Sequence, residues 1–134
     1  MKIIALRGKD HCGKTTTLNI VHERIIENGK STCKITIGNP IYKDFSDIVD
    51  FKKLKIAFFT MGDYSLETIR IIKEYQKLKV DILILASNTK FVNPIKLIEK
   101  YNHQLVEKTI ATTNTKNNQQ IANDSDAKII LDLI

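Results

Sequence analysis

Short apolar runs alternate with segments of helical period along the 134-residue sequence, and few folds accept that pattern. A short apolar run reads as a strand buried on both faces, and the helices between such strands must supply the cover. The runs are Lys2–Leu6, Cys33–Ile37, Ile56–Phe59, Ile82–Leu85 and Gln104–Ile110. The expectation is therefore a three-layer α/β/α sandwich with a mainly parallel five-stranded sheet. No linker or internal repeat interrupts the alternation, which predicts a single domain over residues 1–134.

The intervening segments carry their own signals. Leu18, Val21 and Ile25 recur at helical spacing from Lys14 onward, and Asn28-Gly29 is a C-terminal signal because glycine takes the left-handed conformation cheaply. Residues 44–50 read as a short amphipathic helix, with Phe45, Ile48 and Val49 on one face and Asp44, Asp47 and Asp50 on the solvent side. Ser65 is expected to cap a helix whose inward candidates are Leu66, Ile69, Ile72 and Leu78. Asn93-Pro94 opens the next helix, with proline where a missing N–H costs nothing. The stretch Thr112–Asn118 reads as a polar loop, with Thr112–Lys116 either a connector or a contact for a nucleotide base, and Ala127–Ile134 as a closing helix.

A net charge of +6 comes mostly from lysine, since only Arg7, Arg24 and Arg70 are arginines. Proteins that grip nucleic acid concentrate positive charge in one run or on one face, whereas these lysines are scattered, with Lys52, Lys53 and Lys55 the densest group. Nucleic acid is thus not favoured as a partner. Cys12 and Cys33 form neither a metal-ligand spacing nor a disulfide framework, and no apolar run approaches a membrane span. A cytoplasmic, reducing setting is expected.

One string carries chemistry. Gly8-Lys9-Asp10-His11-Cys12-Gly13-Lys14-Thr15 fits G-x-x-x-x-G-K-[ST] at every fixed position, after a strand and at the start of a helix. Glycines at both ends let backbone N–H groups curl around an anion, and the helix N-terminus adds a partial positive charge. In that geometry Lys14 reaches the β- and γ-phosphates, Thr15 gives its hydroxyl to Mg²⁺, and Thr16 approaches the α-phosphate. His11 and Cys12 inside the loop read more simply as a solvated side chain and a small filler.

On this motif and the strand–helix alternation the chain resembles the P-loop NTPase superfamily. The resemblance implies a nucleoside triphosphate, Mg²⁺, and hydrolysis or phosphoryl transfer, with ATP favoured over GTP because no N-K-x-D string stands at a strand end; Asn88-Thr89-Lys90 only imitates one. It also implies a carboxylate past a neighbouring strand that holds the metal through water, and Asp63 matches that place best. Three branches stay open. Small metabolite kinases would use an acceptor site among Tyr42, Asp44, Asp47, Asp63 and Glu67, but their arginine-bearing lid has no counterpart between Leu85 and Gln104. Partition-type ATPases carry K-G-G-x-G-K-T, in which Lys9 falls at the signature lysine while Asp10 and His11 stand at the two glycines. A nucleotide-held binding module would act in an assembly, with a protein partner or a second copy supplying what is missing.

Overall fold

In chain order the elements are β1 (Lys2–Gly8), α1 (Lys14–Ile26), β2 (Lys30–Ser31), β3 (Ile35–Thr36), a 3₁₀ turn (Pro40–Tyr42), β4 (Phe45–Phe51) and β5 (Leu54–Phe59). They continue with α2 (Ser65–Lys77), β6 (Ile82–Asn88), α3 (Asn93–Ile98), β7 (Asn102–Glu107) and α4 (Lys116–Asp132). The computed structural model describes residues 1–113 and 115–134; Asn114, part of the stretch expected to be a connector or base contact, lies outside the described residues.

The class is α/β, but the sheet differs from the expected one. Among the described residues it has seven strands in the order β2-β4-β5-β6-β1-β7, with β3 also paired to β4. The pairs β5–β6, β6–β1 and β1–β7 are parallel, whereas β4 pairs antiparallel with β5, β2 and β3. It is a mixed sheet with a parallel half rather than a mainly parallel five-stranded one. The added strands come from residues 30–31 and from 45–51, the segment expected to be helical. There the burial alternates, with Phe45, Asp47 and Val49 inward, so the period is two rather than that of a helix. Its aspartates do not share a solvent face: Asp47 is fully buried and Asp44 nearly so, while Asp50 is exposed.

Helices cover both faces. Ile4 and Leu6 of β1 join Leu18, Val21 and Ile25 of α1 and Ala127 and Ile130 of α4 in one core. Ile3 and Ala5 of the same strand face Ile71, Ile72 and Tyr75 of α2 and Ile98 of α3 in the other. Alternate residues of one strand thus feed two cores, and β6 is buried along its whole length for the same reason. Other boundaries shift. In α2 the inward set is Thr68, Ile71, Ile72 and Tyr75; Leu66 and Leu78 are exposed, and Ser65 starts the helix behind Tyr64 without a side-chain cap. Helix α4 begins at Lys116, inside the expected loop, with the Thr115 hydroxyl accepting from the Asn118 N–H. Strand β7 ends at Glu107, short of Ile110.

Candidate functional site

Parallel strands bring their carboxyl ends to one edge, and ligands of such sheets collect there. Here Gly8, Phe59, Asn88 and Glu107 end β1, β5, β6 and β7. Strand β4 runs the other way, so its beginning reaches that edge: Ser46 stands opposite Phe59, and the Phe45 N–H donates to Thr60 Oγ1 at 2.9 Å. This reversal delivers Asp44 to the site.

Between β1 and α1 the chain turns through two left-handed residues, His11 at φ 57° and Gly13 at φ 95°. Backbone alternating in this way forms concavities that bind anions. Gly13 sits at the N-cap of α1 with no side-chain cap, and a Cβ there would lie 2.7 Å from Asn123 Oδ1. The loop is braced from behind, since the Thr17 hydroxyl donates to Gly13 O (2.9 Å) and Asn123 Oδ1 (3.2 Å). Lys14 is almost fully buried, its ammonium donating to Gly8 O at 2.8 Å and Lys9 O at 2.7 Å.

Thr15 donates to Asp44 Oδ1 at 2.9 Å, and Thr60 donates to the same oxygen at 2.7 Å. Asp44 is therefore the carboxylate that meets the predicted metal-ligand hydroxyl. Asp63 does reach the cleft, because the 60–64 turn crosses the end of β6 so closely that a Cβ on Gly62 would stand 2.4 Å from Ala86 O. Its neighbour, however, is Asp10 rather than Thr15. Asp10 in turn accepts from Asn88 Nδ2 (2.5 Å) and lies 3.5 Å from Lys90 Nζ. Desolvation pushes the Asp10 carboxyl up, but the charge and hydrogen bond of Lys90, helped by Asp63 and Lys14, outweigh it and hold the group below the usual carboxylate range. Asn88-Thr89-Lys90 thus braces the loop, with the Thr89 N–H on Gly8 O at 3.3 Å.

A cleft of about 760 Å³ opens over these groups, within the range of small-molecule sites. Lys9, His11, Cys12, Gly13, Lys14, Thr15 and Thr16 form its floor, while Gly8 and Asp10 do not line it. Tyr42, Asp44 and Tyr64 stand on one side, and Lys108 to Ala111 with Gln119 and Asn123 on the other. That second wall is fixed by a buried pair: Lys108 Nζ is 3.0 Å from Asp126 Oδ2, and Asp126 also accepts the Thr109 N–H and hydroxyl at 2.7 and 2.6 Å. Sequence spacing gave no hint of Asn123, Lys108 or Asp126, because each acts through a partner in another part of the fold.

Of the acceptor candidates, Tyr42, Asp44 and Asp63 line the cleft. Glu67 pairs with Arg70 on the surface of α2, and Asp47 is buried away from it. Asp47 accepts from Ser31 Oγ and the Cys33 N–H and sits 2.7 Å from His22 Nε2. Burial pushes its carboxyl up, yet the hydrogen bonds of Ser31, His22 and Cys33 and the charge of His22 hold it below the usual range. All three arginines are engaged elsewhere: Arg7 with Glu107, Arg24 with Asp124, and Arg70 with Glu67 and Glu74. Both cysteines are free.

Among the described residues, no group of three or more His, Cys, Asp or Glu side chains is arranged to hold a metal ion, and no helix is long and apolar enough to cross a membrane. Comparison with protein-family models, curated proteins and solved structures finds no match to this chain.

Proposed function

We propose that this chain binds a nucleoside triphosphate, ATP by elimination, together with Mg²⁺ in the cleft over the β1–α1 loop, and hydrolyses it or transfers its terminal phosphoryl group. The observation that carries this reading is the Thr15–Asp44 hydrogen bond, formed beside the buried ammonium of Lys14 at the start of α1. It brings a cation, a hydroxyl and a carboxylate together at one glycine-rich turn. The donor set fits the metal: Mg²⁺ prefers hard oxygen ligands and takes one or two from protein, the remainder from phosphates and water. Bound there, the ion would neutralise charge on the β- and γ-phosphates.

The chain's own groups divide the work. The N–H groups of the loop and of the first turn of α1 would hold phosphate oxygens. Lys14, now satisfied by the carbonyls of Gly8 and Lys9, would exchange those acceptors for phosphate oxygens. Asp44 would keep the Thr15 hydroxyl oriented, and the Lys108–Asp126 pair would hold the far wall. Asp63, beside Asp10 at the loop, remains a second carboxylate facing the same cleft.

One observation favours the alternative of a nucleotide-regulated module acting in an assembly. Among the described residues no arginine lines the cleft, so the charge that arginine contributes in fast phosphoryl transfer would come from a partner protein or a second copy. Calorimetric titration of Mg·ATP into the wild type and Lys14→Ala, followed by phosphate release from the same samples, tests both. Binding that disappears with Lys14→Ala supports the site, and turnover then separates enzyme from module. Absence of wild-type binding by both ATP and GTP would remove the reading.

A further inference from the structure

A second depression lies on the other side of Asp44. It is an open groove of about 230 Å³, lined by Asn19, Lys34, Thr36, Lys43, Asp44 and Phe45. Asp44 belongs to both walls, so the two cavities meet at one carboxylate. Its Oδ1 takes both threonine hydroxyls, which leaves Oδ2 to accept from a further donor.

The groove's lining carries two lysines against one carboxylate. Neither Lys34 nor Lys43 forms an ion pair with a carboxylate among the described residues, whereas Lys90 and Lys108 do. The Lys34 ammonium is steadied 5.0 Å over the Phe45 ring, on the groove wall. Lys43 adopts a left-handed backbone at φ 58°, a conformation that asparagine or glycine takes more cheaply. Its N–H bonds Pro40 O at 3.1 Å and its C=O accepts from Asn19 Nδ2 at 3.2 Å. The same Asn19 amide bonds Thr15 O at 2.9 Å, which ties the groove to the first turn of α1.

We propose that this groove is a second ligand subsite, which takes a small oxyanion-headed molecule carrying a hydroxyl, such as a phosphate monoester. The two lysines bind the oxyanion, and the hydroxyl faces Asp44 Oδ2. An anion against Asp44 itself would be repelled, so the charged end must lie at the lysine side. The groove is smaller than an ordinary ligand pocket, which suits a head group whose remainder stays in water. Its role as an acceptor subsite rests on the nucleoside triphosphate reading above; its binding of an oxyanion does not.

The test is an amide NMR titration of the full chain with inorganic phosphate, with and without saturating Mg²⁺ and the slowly hydrolysed analogue AMP-PNP. With the analogue present, the Asn19, Thr36 and Lys43 signals should shift saturably. The Lys34→Ala/Lys43→Ala variant should weaken that response at least about tenfold, and Lys14→Ala should leave it in place. Both lysines are exposed, so an unchanged spectrum away from the groove certifies the fold of the variant. Phosphate shifts that are absent, that vanish with Lys14→Ala, or that persist undiminished in the double variant overturn the subsite. If AMP-PNP fails to move the Gly8–Thr16 signals while the groove still responds, the triphosphate reading fails and the oxyanion subsite stands.

Discussion

Replacing Asp126 by alanine would leave the Lys108 ammonium in the interior without its counter-charge. Both side chains are fully buried and 3.0 Å apart, and the same carboxylate accepts the N–H and hydroxyl of Thr109. Removing one partner of a buried, hydrogen-bonded ion pair costs about 3–5 kcal/mol, because the remaining charge keeps its desolvation penalty. Against a total stability of about 5–15 kcal/mol, that is a large share. In a domain of this length it lowers the melting temperature by roughly 10–20 °C. Asp124, on the same helix, supplies the control. Its pair with Arg24 is 3.8 Å long and both side chains are 44% exposed, so Asp124→Ala should cost no more than about 1 kcal/mol. The double variant Lys108→Met/Asp126→Leu, which removes both charges at once, should recover most of the loss. Urea unfolding followed by circular dichroism reads all four proteins. If Asp126→Ala is as mild as Asp124→Ala, or the double variant is no better than the single, the buried-charge reasoning is wrong.

Three further outcomes follow from the same geometry. Asp47 has its carboxyl held below the ordinary 3.8, so its stabilising share is complete above that value and drains away as the pH falls below it; urea midpoints across the acid range should fall more steeply for wild type than for Asp47→Asn. Gly13→Ala forces a side chain into the left-handed region, at about 1–2 kcal/mol, and toward Asn123 Oδ1; thermal melts should show that loss, with Asn123→Ala relieving only the steric part. Under the proposed function, Asp44→Asn should weaken Mg·ATP binding about tenfold while changing metal-free ATP binding little, since the charge proposed to face the metal is lost but the Thr15 hydroxyl keeps an acceptor; calorimetry with and without Mg²⁺ checks both halves.

The strand–turn–helix around the glycine-rich string and the buried run at Ile82 were legible because their signals are local: unbroken apolar residues, a glycine needing positive φ, a helix period from Lys14. The reversal at β4 was not. Phe45, Asp47 and Val49 alternate as a strand should, but an aspartate at the inward place disguises the pattern, and only His22, Ser31 and the Cys33 N–H explain why a carboxylate can be buried there. The same reversal hid the partner of Thr15. The sequence rule looks for a carboxylate past the end of a strand, which Asp63 satisfies, whereas Asp44 precedes the start of an antiparallel one. Leu66 and Leu78 misled because a helix at this position needs only a narrow apolar stripe, which Thr68, Ile71, Ile72 and Tyr75 already fill.

The position of β1 in the sheet has a consequence for how the chain is made. Lys2 finds its neighbours at Ile82 and Asn102, so β1 is synthesised well before either strand that it pairs with. The β4–β5 hairpin closes locally, but Ile3, Ile4, Ala5 and Leu6 have no sheet to join until β6 has been synthesised. Ordering of the glycine-rich turn waits with them, since Thr89, Asn123 and Lys108 all brace it from later in the chain. Nascent chains halted before β6 should therefore be prone to association through that uncovered strand, with the glycine-rich turn still unordered.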